Sequence, residues 1–316
     1  MSFSSEVKEE LKGKIDSAKH CQIAELAAIF AFCGRVIPMP DGNFLLVVTT
    51  ENEIVAGKFV ELLSKAFGVT EDYIDYDYEG SKNTTIHMSI QDVELVEEIL
   101  MAIKWRNMQD NKIVPVFAHS LVVQKECCKR AFIRGAFLAA GSLSDPNKNY
   151  HYEIVCGHEE GAEQLKEMLA FFKLEAKVTI RKNNYIVYLK EGIHITDCLN
   201  VMGAFVSQME LYNVMILKGI SNNINRQVNC ETANMNKTIE AAVKQIRDIE
   251  YIRDTVGIDY LNDGLKQVAL IRLENSDMNL KDIGDRLNPP VGKSGVNHRL
   301  RKIGEIAEEL RASKGE

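Results

Sequence analysis

The densest group of basic side chains in this chain lies near its C-terminus, within ten residues. The group comprises Lys293, His298, Arg299, Arg301 and Lys302. Lysine and arginine neutralise phosphates, and arginine also reads guanine in the major groove of DNA. The whole chain has a net charge of −7, which argues against general binding to polyanions. Any contact with nucleic acid must therefore be local, and this cluster is the candidate for it.

Charge is divided unevenly along the chain. From residue 226 to the end, 15 Lys+Arg balance 15 Asp+Glu. The preceding part has 23 Lys+Arg and 30 Asp+Glu, so it carries the entire net charge of −7. Within the neutral C-terminal part the basic cluster is followed by Glu305, Glu308 and Glu309. A basic segment therefore stands apart from its acidic surroundings.

Apolar spacing predicts a helix over residues 294–310 with one polar face. Val296, Leu300 and Ile303 recur at helical intervals and are expected in a core. The opposite face carries Asn297, His298, Arg301 and Lys302, with Ser294 and Gly295 at the N-terminal end. Small residues at a helix N-terminus allow close approach to a phosphate, and the helix dipole favours the anion. The pattern is that of a DNA recognition helix.

The residue types on this face suit contacts to bases and phosphates. Arg301 can read guanine or grip a phosphate, and Asn297 can pair with adenine. Lys281 lies on a short helix predicted over 280–287, which would cross the DNA backbone. The connection over 288–293 is longer than the ~3–4 residues usual in a helix-turn-helix. The charge pattern alone leaves open a second interpretation, a helical bundle whose last helix has a solvated basic end.

Further helices are predicted over 233–254 and 261–273, which gives an all-α domain over 233–316 with the helix-turn-helix at about 279–312. The polar, Asn-rich segment SNNINRQ begins at Ser221. We predict a hinge over 221–232, because such composition is typical of a linker between domains.

An internal repeat organises the first two thirds of the chain. The strings LAAIFAFCG and IRGAFLAAG end at Gly34 and Gly141, an offset of 141 − 34 = 107 residues. Strands are predicted over 44–50, 73–78, 84–90, 150–156, 176–181 and 185–190, with a turn at 80–81. The order predicts two αββαββα units, over about 21–107 and 127–220, behind an N-terminal helix within 1–20. The small residues Gly135, Ala136 and Ala139 are expected to pack against Ala27, Ala28 and Ala31.

The doubled string resembles the LAGLIDADG homing endonucleases, in which two such helices meet at a pseudo-twofold axis. The whole chain is similar to the bacterial WhiA family, which joins a degenerate LAGLIDADG domain to a C-terminal helix-turn-helix. The strings NRQVNCETANMNKT and PPVGKSGVNHRLRKI, which begin at Asn225 and Pro289, carry this resemblance. The predicted fold class is therefore α+β, with tandem LAGLIDADG-like αββαββα repeats in pseudo-twofold symmetry and an all-α helix-turn-helix domain.

The resemblance also identifies the two positions at which a nuclease of this kind carries its catalytic acids. A LAGLIDADG nuclease needs an acid at the penultimate motif position of each helix, where the two carboxylates hold divalent metal against the phosphates. Those positions are Cys33 and Ala140 in this chain. Alanine binds no metal, and a thiolate is a soft ligand poorly suited to Mg²⁺. We therefore predict no catalytic residues.

The two sheets are expected to differ in charge. Alternation in EDYIDYDYE, residues 71–79, places Glu71, Tyr73, Asp75, Asp77 and Glu79 on the open face. Ile74, Tyr76 and Tyr78 are expected to pack on the helices. In the second half, Lys177, Thr179 and Arg181 are outward, with Lys182 and Lys190 near. The face is either a simple solvated surface or a one-sided surface for a protein partner or accessory DNA contact. In both cases symmetric straddling of DNA by this domain is disfavoured.

The cysteines indicate a reducing compartment. The count is odd and contains no CxxC: Cys21, Cys33, Cys127, Cys128, Cys156, Cys198 and Cys230. Reduced, mostly buried thiols are expected, and no zinc site, because no ligand pair has finger or ribbon spacing. The charged N-terminus is unlike a signal peptide, and the longest apolar run, 23–32, is too short to cross a membrane. We expect a cytoplasmic, nucleoid-associated protein without membrane contact.

The resemblance implies a non-enzymatic DNA-binding transcriptional regulator, with roles in cell division, chromosome segregation and, in spore formers, sporulation. Double-stranded DNA is the expected partner, and no cofactor is expected. The LAGLIDADG-like domain would serve as scaffold, or as a surface for another regulatory protein or RNA polymerase. Two alternatives stay open, a divergent metal-dependent DNA endonuclease and an interaction adaptor whose DNA contact is incidental.

Overall fold

Two repeats of the same element order build the first part of the protein. The computed structural model describes residues 2–80, 84–105 and 113–314. After α1 (Phe3–Lys12), the first repeat consists of α2 (Lys19–Cys33), β1 (Gly34–Pro38), β2 (Phe44–Thr50), α3 (Glu53–Phe67), β3 (Asp75–Glu79), β4 (Thr85–Ile90) and α4 (Val93–Ala102). The second consists of α5 (Glu126–Ala140), β5 (Gly141–Leu143), β6 (Tyr152–Cys156), α6 (Glu159–Phe171), β7 (Lys177–Arg181), β8 (Asn184–Leu189) and α7 (Gly192–Met202). The predicted αββαββα order is confirmed in both copies.

Each repeat forms one four-stranded antiparallel sheet with the same strand order. The orders are β1-β2-β4-β3 and β5-β6-β8-β7. Strands β1 and β5, which begin at Gly34 and Gly141 as soon as α2 and α5 end, were absent from the predicted set. They carry no clear alternation of apolar and polar residues over their short lengths. Ser81, the second residue of the predicted turn at 80–81, and residues 106–112 lie outside the described part of the chain.

The helices α2 and α5 meet in a seam of small residues. A Cβ added to Gly135 would lie 2.6 Å from the Glu25 carbonyl oxygen and 2.9 Å from the Ala28 Cβ. Only glycine allows the two backbones to approach this closely. Ala27, Ala28 and Ala136 are buried in the same core. The expected packing of small residues across the repeat is confirmed at these positions.

The chain divides into two compact units, Met1–Lys218 and Gly219–Glu316. Helix α8 (Phe205–Val256) supplies residues to both, and the second unit continues with α9 (Asp263–Glu274), α10 (Leu280–Arg286) and α11 (Lys293–Lys314). The second unit has its own apolar core, which includes Ile249, Ile252, Val268, Ile283 and Val296.

The predicted hinge over 221–232 is wrong in its local structure, because these residues are helical and belong to α8. Asn and Ser are weak helix formers, but each disfavours a helix by well under ~1 kcal/mol. The sequence between residues 205 and 256 contains no proline that would break the hydrogen-bond ladder. Every residue from 219 to 241 is solvent-exposed. None of the helices in the described ranges has a stretch both long enough and apolar enough to span a bilayer.

Candidate nucleic-acid interface

Helices α10 and α11 are held at a fixed angle by a tight contact between α10 and the turn. The side chain of Asn279 caps α10 by accepting hydrogen bonds from the amides of Lys281 and Asp282, at 3.0 and 3.1 Å. The amide of Val291 donates to the Gly284 carbonyl at 3.0 Å. A Cβ on Gly284 would lie 1.9 Å from the Val291 carbonyl oxygen. The connection, residues 287–292, is longer than usual, as the sequence predicted.

The core-facing side of α11 agrees with the prediction. Val296, Leu300 and Ile303 are buried in the core of the second unit. Besides Lys293 at its start, five of the predicted site residues are exposed on α11, namely Ser294, Asn297, His298, Arg301 and Lys302. At 100° per residue these five lie within one half of the helix circumference, opposite the core. The helix therefore presents a continuous polar face.

Arg301 has a competing partner on this face. Its Nε lies 3.4 Å from Oε1 of Glu305, and the two side chains are 72% and 56% exposed. An exposed ion pair of this kind contributes well under ~1 kcal/mol. A phosphate could therefore displace Glu305 as the partner of Arg301.

Two other predicted residues have packing roles. The Arg299 guanidinium is part-buried and donates from Nη1 to the Gly264 carbonyl at 3.2 Å, which ties α11 to the start of α9. A Cβ on Gly295 would lie 2.3 Å from Cγ1 of Val291, so the turn packs against α11 at this position. Both residues therefore contribute to the packing of the helix-turn-helix.

The remaining predicted cations lie along one groove of the second unit. A groove of about 810 Å³ between α8, α10 and α11 is lined by Lys281, Lys293 and Asn297, and also by Lys237 of α8. All four are exposed. Lys237 was not among the predicted site residues, because its sequence neighbours give no sign that α8 approaches α10 and α11. The groove therefore brings three lysines, Lys237, Lys281 and Lys293, close to Asn297 on the polar face.

The helix ends that would hold the nuclease acids have a different chemistry. Burial raises the pKa of the Cys33 thiol to about 11, so the thiol is protonated and uncharged at neutral pH. The Lys8 ammonium lies near Cys33 and donates to the Leu138 carbonyl at 3.0 Å, close to Ala140. Burial lowers the pKa of Lys8. A lysine therefore lies where a nuclease would concentrate negative charge.

The two sheets differ in charge as expected, with two corrections to the first sheet. Residues Glu71–Tyr73 form a 3₁₀ turn, so the acidic alternation begins at Asp75. Tyr76 and Tyr78, expected to pack on the helices, are 40% and 62% exposed, because β3 is an edge strand. In the second sheet, Nη2 of Arg181 donates to Glu153 at 2.9 Å.

Sequence reasoning missed one side-chain cluster altogether. His20, Cys21, Cys127 and Cys128 have ligand atoms that all lie within 4.8 Å of one another. The expectation of no zinc site rested on sequence spacing, and these ligands are separated by more than a hundred residues. The signal that could have found them is the repeat itself, since the offset of 107 maps His20 onto Cys127 and Cys21 onto Cys128.

A tandem LAGLIDADG-like domain followed by a helix-turn-helix is the class of protein that these features define. Family models match three consecutive ranges: the WhiA N-terminal LAGLIDADG-like domain at residues 19–104, the WhiA LAGLIDADG-like domain at 129–221 and the WhiA C-terminal HTH domain at 224–307. The chain belongs to the WhiA family.

Full-length relatives support this assignment. Probable cell division protein WhiA of Lachnospira eligens is 59% identical over 100% of this chain and 99% of its own length. The protein of the same name from Lachnoclostridium phytofermentans is 46% identical over 98% of this chain and 100% of its own. The crystal structure of full-length DUF199/WhiA from Thermatoga maritima, 25% identical, superposes with a TM-score of 0.60 and covers 98% of this chain and 99% of its own.

Proposed function

We propose that this protein is a DNA-binding transcriptional regulator that acts through α11. The observation that carries the proposal is the exposed polar face of this helix in a segment matched by a helix-turn-helix family model. A recognition helix needs one face that holds it to the core and another that is free for base edges. Helix α11 has both faces, and its exposed face concentrates the donors that DNA requires.

The exposed residues divide between base and backbone contacts. Asn297 enters the major groove, where its amide pairs with adenine, and Arg301 reads guanine or grips a phosphate beside it. Lys281 and Lys293, with Lys237 beside them, bind phosphates and fix the register of the helix on the duplex. Lys302 and His298 flank the base-reading residues. Double-stranded DNA is thus the partner, and the protein acts in the cytoplasm on the nucleoid.

The biological role we propose is regulation of cell division and chromosome segregation, and of sporulation genes in spore-forming bacteria. Relatives at 59% and 46% identity over nearly their full length carry the name probable cell division protein. Mapping of bound DNA across the genome tests the regulatory role, because a shared sequence motif beside cell-division genes is expected. Binding scattered without a motif would contradict it.

Replacing Arg301 or Lys302 by alanine is expected to weaken DNA binding and to flatten its salt dependence. Each lost phosphate contact reduces the slope of log K against log salt by about 0.9. Fluorescence anisotropy with a labelled duplex at several salt concentrations measures both quantities. Arg253→Ala is the matched control, because Arg253 is equally cationic but pairs with Asp254 at the end of α8. Unchanged binding in both test variants would exclude α11 as the recognition helix.

We propose further that the protein does not cleave DNA. The support is the pair Cys33 and Ala140 at the acid positions and the neighbouring Lys8 ammonium. Incubation of plasmid and linear DNA with the protein and Mg²⁺ or Mn²⁺ is expected to give no cleavage above buffer. Turnover that disappears on addition of a chelator would establish the alternative, a divergent metal-dependent endonuclease.

The LAGLIDADG-like domain serves in this proposal as a scaffold and as a surface for a protein partner. The open face of β3 carries Asp75, Asp77 and Glu79, which repel phosphate. A basic surface on another regulatory protein or on RNA polymerase is the complementary partner. If the protein were only an adaptor, Asp75→Lys with Asp77→Lys would abolish its regulatory effect while Arg301→Ala left that effect intact.

A further inference from the structure

We propose that His20, Cys21, Cys127 and Cys128 bind one Zn²⁺ ion in a four-coordinate site. Nδ1 of His20 lies 3.3 Å from Sγ of Cys21 and 3.3 Å from Sγ of Cys128. All four ligand atoms lie within 4.8 Å of one another. A tetrahedral zinc ion with bonds of about 2.3 Å to sulfur and about 2.0 Å to nitrogen separates its ligands by roughly 3.5–3.8 Å. Small side-chain adjustments therefore complete the shell.

The ligands come from equivalent positions in the two repeats. His20 and Cys21 lie in the first turn of α2, and Cys127 and Cys128 lie in the first turn of α5. Neither helix has a side-chain N-cap hydrogen bond, at Ala18 or at Lys125. The N-terminal ends of the two helices therefore meet at this point. The seam between the repeats thus brings four ligands to one place.

Burial at the cluster suits uptake of a metal ion from solvent. Cys21 and Cys128 are 3% and 2% exposed, whereas His20 and Cys127 are exposed. The two buried cysteines exclude water from one side of the site, which strengthens metal–thiolate bonds. The second pair gives an entry path and closes over the ion once it is bound, as a protein metal site requires.

The ligand set selects zinc among the divalent ions. Three thiolates and an imidazole are soft or borderline ligands, which suit Zn²⁺ and disfavour Mg²⁺ and Ca²⁺. Four protein ligands fill a tetrahedral shell and leave no open position for water or substrate, so the site is structural and not catalytic. An iron–sulfur cluster is larger than a single ion and would need its ligands farther apart.

The site is distinct from the metal position of the homing endonucleases. That position lies at the other ends of the same helices, where Cys33 and Ala140 are 33 − 20 = 13 and 140 − 127 = 13 residues away. At 1.5 Å per residue, the separation is about 20 Å. The ion would join two repeats whose ligands lie more than a hundred residues apart, and closure of so long a loop by a metal stabilises the folded state. The proposal is independent of DNA binding.

The test is the metal content and stability of the full-length protein purified under reducing conditions. About one zinc per chain is expected by plasma mass spectrometry, and Co²⁺ in place of zinc is expected to show thiolate charge-transfer and tetrahedral d–d absorption. Chelation is expected to lower the melting temperature measured by Trp105 fluorescence, because the ion binds only the folded state.

Cys127→Ser and His20→Ala are the test variants. Both residues are exposed, so the variants are expected to fold with native circular dichroism while losing the zinc, the cobalt spectrum and the response to chelator. Cys230→Ser, which removes an exposed thiol elsewhere on the chain, is expected to keep all three. Wild-type protein that takes up no more zinc or cobalt than Cys127→Ser would overturn the proposal. So would a disulfide among Cys21, Cys127 and Cys128 in the native reduced preparation, or iron in place of zinc.

Discussion

Replacing Glu25 by alanine is expected to lower the free energy of unfolding of the first unit by about 3–5 kcal/mol, because it removes the buried carboxylate that two buried cations share. Glu25 is fully buried in α2 and accepts hydrogen bonds from Arg134 of α5 at 2.9 Å to Oε1 and 2.7 Å to Oε2. Lys58 of α3 lies 3.3 Å from the same carboxylate. The carboxylate therefore joins three helices at the seam.

The surroundings of these cations show why the loss is large. Burial by itself lowers the pKa of Arg134, but hydrogen bonds and charge from Glu25, with help from Asp16, outweigh burial and raise the pKa above its ordinary value. Burial lowers the pKa of Lys58, and Glu25 partly offsets this effect. When Glu25 is removed, the effect of burial, which lowers the pKa of both Arg134 and Lys58, is offset much less.

Urea denaturation followed by Trp105 fluorescence measures the effect. Trp105 is the single tryptophan of the chain and lies with its ring centroid 4.7 Å from that of Phe30 in α2, so it reports on this unit. Glu163→Ala is the matched control, since Glu163 pairs with Lys166 at 2.8 Å on the exposed surface of α6. The control is expected to lose at most about 1 kcal/mol. Equal losses in the two variants would refute a stabilising role for the buried carboxylate.

Replacing Gly284 by alanine is expected to disrupt the helix-turn-helix and lower DNA affinity at least tenfold. The new Cβ would lie 1.9 Å from the Val291 carbonyl oxygen, a backbone atom that cannot rotate away. The turn must shift, and the hydrogen bond from the Val291 amide to Gly284 lengthens. Overpacking of this kind destabilises by about 1–3 kcal/mol or more, and displacement of the turn also moves the start of α11.

Gly292→Ala is the control for the second prediction. Gly292 lies in the same turn, but a Cβ placed there meets no atom within 4 Å, so stability and affinity are expected to stay unchanged. Thermal unfolding by circular dichroism and anisotropy with labelled DNA measure both variants. Trp105 fluorescence is expected to remain native in each, because the damage is confined to the second unit. Gly284→Ala with wild-type affinity would show that the turn adapts without moving α11.

The sequence predicts a feature of this fold well where one periodic pattern determines it. Val296, Leu300 and Ile303 were placed in the core by helical spacing alone, and they are buried. The repeat offset predicted the paired α2 and α5 seam, which Gly135 confirms. In both cases the information lies within one helix or in a comparison of two similar strings.

Features that depend on distant residues were not predicted. The composition of 221–232 predicts a hinge between domains, yet α8 continues through it, because extension of an existing helix needs no new nucleation. Tyr76 and Tyr78 were assigned the correct strand, but their exposure depends on β3 being at the sheet edge. The metal-ligating cluster joins residues 20–21 to residues 127–128. No pattern within a short stretch of the sequence shows that these residues lie close together.

The buried ion pair at the seam also determines which repeat can associate with which. The offset of 107 maps Glu25 onto Phe132 and Arg134 onto Ala27, so the charges break the internal symmetry. Two second repeats brought together from separate chains would bury two guanidinium groups without Glu25, and in two first repeats each Glu25 would keep Lys58 but lose the hydrogen bonds from Arg134. Only an unlike pair gives both Glu25 and Arg134 their partner. The seam therefore favours pairing of a first repeat with a second repeat over pairing of two like repeats.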